Sequence, residues 1–117
     1  MDQNQEINYQ NRLIEQLPQR ERGIDCIGLS GAERAYFIAR VYAQHPMPML
    51  IILPSVKEAE RFFEDLRFFA SSANWPILYF APYNILPFKF LSYHNETAAK
   101  RIGVLYQLME NNTHPIV

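Results

Sequence analysis

The chain has 117 residues, 49% hydrophobic, 20% charged and 14% aromatic, and eleven Lys/Arg against twelve Asp/Glu leave a net charge of -1. That length predicts one domain able to bury a core without staples, and the composition excludes a disordered tail, a collagen repeat and a disulfide-rich miniprotein. The near-zero charge argues against strong nonspecific attraction to DNA or anionic lipid, and neither half forms a basic arm, since residues 1–60 carry six basic and eight acidic groups and residues 61–117 carry five and four.

The single cysteine, Cys26, has no partner for an internal disulfide or a Cys-based zinc site, which predicts a reducing, cytoplasmic setting. The polar N-terminus lacks a signal-peptide core. The longest apolar run, Met47 to Pro54, falls far short of the ~20 residues that span a bilayer. A soluble protein with no membrane partner is therefore expected.

In chain order, Glu6 to Leu17 predicts a short amphipathic helix and Gln19 to Arg22 a connector, so residues 1–22 form a leading segment. Gly23 to Leu29 predicts a strand buried on both faces, with Cys26 as an inert buried thiol. After Gly31, apolar Ala35, Ile38, Ala39, Tyr42 and Ala43 recur three and four apart, the spacing of a largely buried helix. Met49 to Leu53 predicts a second strand. Ser55 followed by Glu58 forms a capping-box pattern. It opens a helix whose stripe is Val56, Ala59, Phe62, Phe63, Leu66, Phe69 and Ala70. Ile77 to Phe80 predicts a third strand and Ala81 to His94 a long loop. A last helix spans Asn95 to Glu110, with Asn95 as N-cap and Ala98, Ile102, Leu105 and Met109 as its stripe.

Pro115-Ile116-Val117 reads as the start of a fourth strand, which predicts a fragment of a longer protein. The alternation implies an α/β fold for residues 23–117, a parallel sheet with flanking helices and right-handed crossovers. In such a sheet the loop after the first strand faces the ligand.

That loop is Gly28-Leu29-Ser30-Gly31-Ala32-Glu33-Arg34-Ala35. A phosphate loop of the form G-x-x-x-x-G-K-[ST] closes backbone N–H groups around phosphate, reaches it with Lys and binds magnesium through a hydroxyl. Aligned from Gly28, Glu33 holds the second glycine's place, Arg34 the lysine's and Ala35 the hydroxyl's. A carboxylate in place of glycine opposes phosphate, a planar guanidinium does not reproduce a compact ammonium, and alanine cannot ligate magnesium. Two glycines three apart also suit an ordinary strand-to-helix turn. Either reading predicts no cofactor here.

No nucleophile triad or metal-ligand spacing emerges. His45, His94 and His114 fall near element ends, Ser30 has no base nearby in sequence, and Ser92 beside His94 is adjacency without geometry. The Ala81–His94 loop is long for so small a domain, and long loops are often functional. It carries Tyr83, Phe88, Phe90, Tyr93 and His94, with Trp75, Tyr79 and Phe80 just before it. Those rings could form a base-stacking or partner-binding surface or pack the loop onto the sheet edge. Lys89 is the loop's one cation, where base-stacking surfaces usually have a basic groove.

The stretches Gly28 to Ala43 and Ile85 to Leu108, above all Leu86-Pro87-Phe88, Ser92-Tyr93-His94 and Arg101 to Leu108, resemble the N-terminal region of bacterial transcription-repair coupling factors. That region is in turn similar to the nucleotide-binding domain of excinuclease component B (UvrB), a helicase-like fold whose phosphate loop is complete there and degenerate in the coupling factors. The resemblance implies a noncatalytic, truncated scaffold from a cytoplasmic bacterial protein. The parent would be an ATP-dependent double-stranded DNA translocase that displaces stalled RNA polymerase and recruits nucleotide excision repair through excinuclease component A. ATP and magnesium would belong to motor domains downstream, and most partner contacts to regions other than this one, whose own partners would be neighbouring domains. Two other readings stay open: an active phosphate-loop NTPase with an atypical loop, and an aromatic-loop binder of single-stranded nucleic acid.

Overall fold

The computed structural model describes residues 8, 11–12, 14–17, 23–83, 95–110 and 114–117. Three helices organise it: α1 (Ala32–Gln44), α2 (Val56–Phe69) and α3 (Asn95–Glu110).

Helix α2 starts where the capping box predicts. Ser55 has extended backbone, and its Oγ accepts a hydrogen bond from the Glu58 N–H at 3.2 Å, satisfying one of the donors that a helix start leaves free. Phe62, Leu66 and Ala70 are buried along one side, whereas Val56 and Phe68 face solvent. Helix α1 buries Ala35, Ala39, Val41 and Tyr42.

Ala35 and Ala39 are small enough to let α2 approach closely, and the Tyr36 and Phe69 rings meet edge to face at 5.3 Å between centroids. The core therefore lies between α1 and α2: Ala35, Ala39, Tyr42, Phe62, Leu66 and Ile116 form one buried cluster. Each fully buried large aliphatic side chain in it contributes about 1.5–3 kcal/mol relative to exposure.

Ahead of α1, Asn11, Arg12 and residues 14–16 have helical backbone, and Ile14 is buried. The Asn11 Oδ1 accepts from the Arg40 guanidinium and, at 3.4 Å, from the Gln44 amide. These bonds hold the leading segment against α1.

The expected parallel sheet is not found among the described residues. Among the described residues no segment forms a strand, and the fold is helical. Pairing between the extended segments is confined to isolated parallel bridges, Met49 with Ile116 and Ile77 with Ile116. Prolines give the physical reason. Pro46, Pro48, Pro54, Pro76, Pro82 and Pro115 flank these segments, and a residue without an N–H ends a ladder quickly. What pairing exists centres on Ile116, 1% exposed. Its N–H donates to the Pro76 carbonyl at 2.9 Å and its carbonyl accepts from Leu78 at 2.8 Å.

The segment expected as a first buried strand differs most. Gly23 to Leu29 makes no bridge, Ile27 is 94% exposed and Cys26 is exposed too. Without a strand there, the excinuclease-like nucleotide-binding architecture has no counterpart in the described residues.

Helix α3 has the boundaries predicted for it but not the burial. Asn95 is its first residue rather than its cap, and Val104 is its buried position among the described residues. The predicted stripe members Ile102, Leu105 and Met109 are exposed, Met109 at 87%. Helices α1 and α2 pack on each other and neither packs on α3. The radius of gyration, 17.0 Å, exceeds the ~13 Å of a compact domain this long.

Candidate functional site

The loop before α1 is shaped by its glycines. Gly28 has φ 90° and Gly31 has φ 51°, a backbone region that side-chain-bearing residues rarely enter. Open space surrounds both Cα positions, so conformation and not crowding requires glycine there. The turn then closes with the Glu33 N–H donating to the Ser30 carbonyl at 3.1 Å.

A helix start gathers free N–H groups and the positive end of the helix dipole, which together attract an anion. In this loop a side chain of the chain itself answers that attraction. The Glu33 carboxylate accepts from the Ser30 backbone N–H at 3.0 Å and from the Ser30 hydroxyl at 3.4 Å. An incoming phosphate would have to displace a carboxylate that is already bonded, and would meet its charge.

Arg34 turns the other way. Its two terminal nitrogens each lie 3.3 Å from one Glu58 oxygen on α2. Both side chains are about two-fifths exposed, 39% and 44%, so water screens the pair and its contribution is small. The Arg34 Nε, by contrast, is enclosed without a partner. Glu58 thus serves α2 through its backbone and α1 through its carboxylate. The sequence pattern assigns it only to the cap, because nothing in the spacing of Arg34 and Glu58 signals contact. Ala35 is fully buried against the core, away from any role at the loop surface.

Of the candidate interaction loop, Tyr83 lies among the described residues and Phe88, Tyr93 and His94 lie outside them. The Arg101 guanidinium of α3 sits 3.8 Å from the Phe80 ring centroid and 4.4 Å from that of Tyr83. It also donates to the Ala81 carbonyl at 2.6 Å. One cation therefore engages two rings and the carbonyl between them, an arrangement that draws on both cation–π attraction and a charge-assisted hydrogen bond. In the sequence, Arg101 stands out only through the family resemblance. Trp75 packs on Tyr42 at 4.9 Å and Tyr79 on Phe63 at 5.6 Å, so these two rings belong to the domain's packing.

Burial raises the Tyr42 hydroxyl above the ordinary tyrosine range, and burial with the nearby Glu60 carboxylate raises Tyr79. The Tyr42 hydroxyl donates to the His114 carbonyl, tying α1 to the C-terminal segment. Among the described residues, no three His, Cys, Asp or Glu side chains gather as a metal site. No described helix is long and apolar enough to cross a membrane.

No family model matches the chain, and no solved structure matches it. Among curated proteins, the transcription-repair-coupling factor of Escherichia coli (strain K12) is 28% identical to it over 80 residues. The match takes in 68% of this chain and 7% of that protein. Over those 80 residues, then, the chain is similar to a small part of a transcription-repair-coupling factor.

Proposed function

We propose that this chain is a noncatalytic scaffold segment of a transcription-repair coupling factor, and that its glycine loop does not hold nucleotide. The observation that carries the noncatalytic reading is the Glu33 carboxylate bonded to the Ser30 N–H at 3.0 Å, where an anion would otherwise find its donors. Arg34, directed to Glu58, and Ala35, buried in the core, support the same reading. The similarity over 80 residues supports the coupling-factor role. On this view ATP and magnesium act in other regions of the parent protein, an ATP-dependent translocase on double-stranded DNA. Contacts with RNA polymerase and excinuclease component A would also lie mostly elsewhere, and this segment's direct partners are neighbouring domains.

The test is a calorimetric titration with Mg-ATP of the natural chain and of a variant carrying Glu33→Gly, Arg34→Lys and Ala35→Thr. Absence of binding heat from the natural chain is expected. Micromolar binding by it would overturn the noncatalytic reading and favour an NTPase with an atypical loop. Binding confined to the variant would identify Glu33 and its neighbours as what closes the loop.

A further inference from the structure

Residues 77–83 connect the core to α3. Ile77 packs against the buried cluster between α1 and α2, and the Tyr79 ring meets the Phe63 ring of α2 at 5.6 Å. The residues that follow engage α3 instead. The Arg101 guanidinium lies 3.8 Å from the Phe80 ring centroid and 4.4 Å from that of Tyr83. It also donates to the Ala81 carbonyl at 2.6 Å.

Helix α3 shares little else with that core. Among the described residues, no α3 side chain belongs to the buried cluster or packs against it, and neither α1 nor α2 packs on α3. Its buried position is Val104, while Ile102, Leu105, Tyr106 and Met109 are exposed. The helix also contains Gly103, and glycine is a poor helix former. A helix of 16 residues is marginal in water once its tertiary contacts are lost.

We propose that Arg101 is a latch, and that α3 opens from the α1–α2 core as a separate unit when that latch lets go. A guanidinium is planar and carries several N–H donors, so one group can lie against aromatic rings and still bond a carbonyl. Because a single side chain makes all three contacts, one change of its rotamer breaks them together. An apolar seam loses its contacts one at a time; this hold is all or none. Arg101 is thus a positioning residue, acting through the placement of α3. The inference is independent of the role proposed for the glycine loop, which lies before α1.

The test is amide hydrogen exchange, followed residue by residue on the full chain from zero to sub-denaturing urea. The natural chain is compared with Arg101→Ala and Arg101→Lys. In the natural chain, α3 amides are expected to exchange faster than those around Phe62 and Leu66. They should also depend less on urea, because opening α3 exposes less surface than global unfolding. Arg101→Ala is expected to speed exchange along α3 by about tenfold or more and leave α2 unchanged. Arg101→Lys keeps the charge, but a compact ammonium cannot hold two rings and a carbonyl together, so partial recovery is expected. Equal urea dependence in α2 and α3 would overturn the proposal by showing one cooperative unit. So would an Arg101→Ala variant that speeds both helices alike or neither, and so would full recovery by lysine.

Discussion

Helices α2 and α3 are close in length, and the sequence marks an apolar stripe on each, yet they end in opposite environments. Helix α2 has Phe62 and Leu66 buried against α1 and the C-terminal segment. Helix α3 leaves Ile102, Leu105, Tyr106 and Met109 in solvent and is tied to the segment before it by Arg101. The difference teaches that a periodic stripe records a capacity for burial. Whether that capacity is used depends on a second surface, and α1 supplies one only to α2.

The comparison is most directly challenged by truncating both stripes. Leu66→Ala and Phe62→Ala should each cost about 2–5 kcal/mol, as core truncations do. Ile102→Ser and Met109→Ser should stay within about 0.5 kcal/mol, as exposed substitutions do. Urea denaturation of the four variants checks this, and equal losses on both helices would show that α3 is buried in solution.

Next in size is Gly31→Ala. It should destabilise by about 1–3 kcal/mol through backbone strain alone, because open space surrounds the site. Thermal unfolding would read it, and an unchanged midpoint would mean the loop relaxes away from φ 51°. Ser55→Ala should cost about 1 kcal/mol by removing the α2 cap, seen as a loss of helical circular dichroism at intermediate urea.

Tyr42 sharpens the comparison through pH. Its folded pKa is raised above the ordinary 10.0 by burial, so the folded state retains a proton that the unfolded chain releases. The associated stability is complete below pH 10.0 and declines as pH rises through the folded value. Tyr42→Phe should therefore flatten the alkaline limb of a stability–pH curve, and an unaltered limb would exclude Tyr42 as its source. The smallest effect belongs to Arg34→Ala, expected to cost no more than about 1 kcal/mol because the Glu58 pair is solvent-screened. A loss equal to that of Leu66→Ala would mean that the pair, and not the apolar cluster, joins α1 to α2.

Local chemistry is legible where its signal is short-ranged. The Ser55 cap, the start of α2, the span of α3 and the glycine-bounded turn before α1 each follow from residues within one or two turns. The sequence marks the Glu33 carboxylate as hostile to phosphate, while its bond to the Ser30 N–H emerges only in the fold. Strand pairing is not legible in this way. Apolar runs such as Met49 to Leu53 look like strands, but a strand exists only if a neighbour answers its backbone along several residues. Here Ile116 answers at single bridges, and Gly23 to Leu29 makes none. The Arg34–Glu58 contact spans 24 positions and the Arg101 clasp on Phe80 and Tyr83 joins a helix to the segment before the loop. No periodicity encodes either.

By itself the sequence determined where α2 begins, the span of α3 and which side chains are apolar enough to form a core. Those properties rest on backbone conformational preference and on transfer from water, both set within a few residues. Only the tertiary structure decided which stripe is buried, where Arg34 and Arg101 direct their charge, and how far the extended segments pair. These depend on the distance between surfaces remote in the chain, which burial and hydrogen bonding settle collectively.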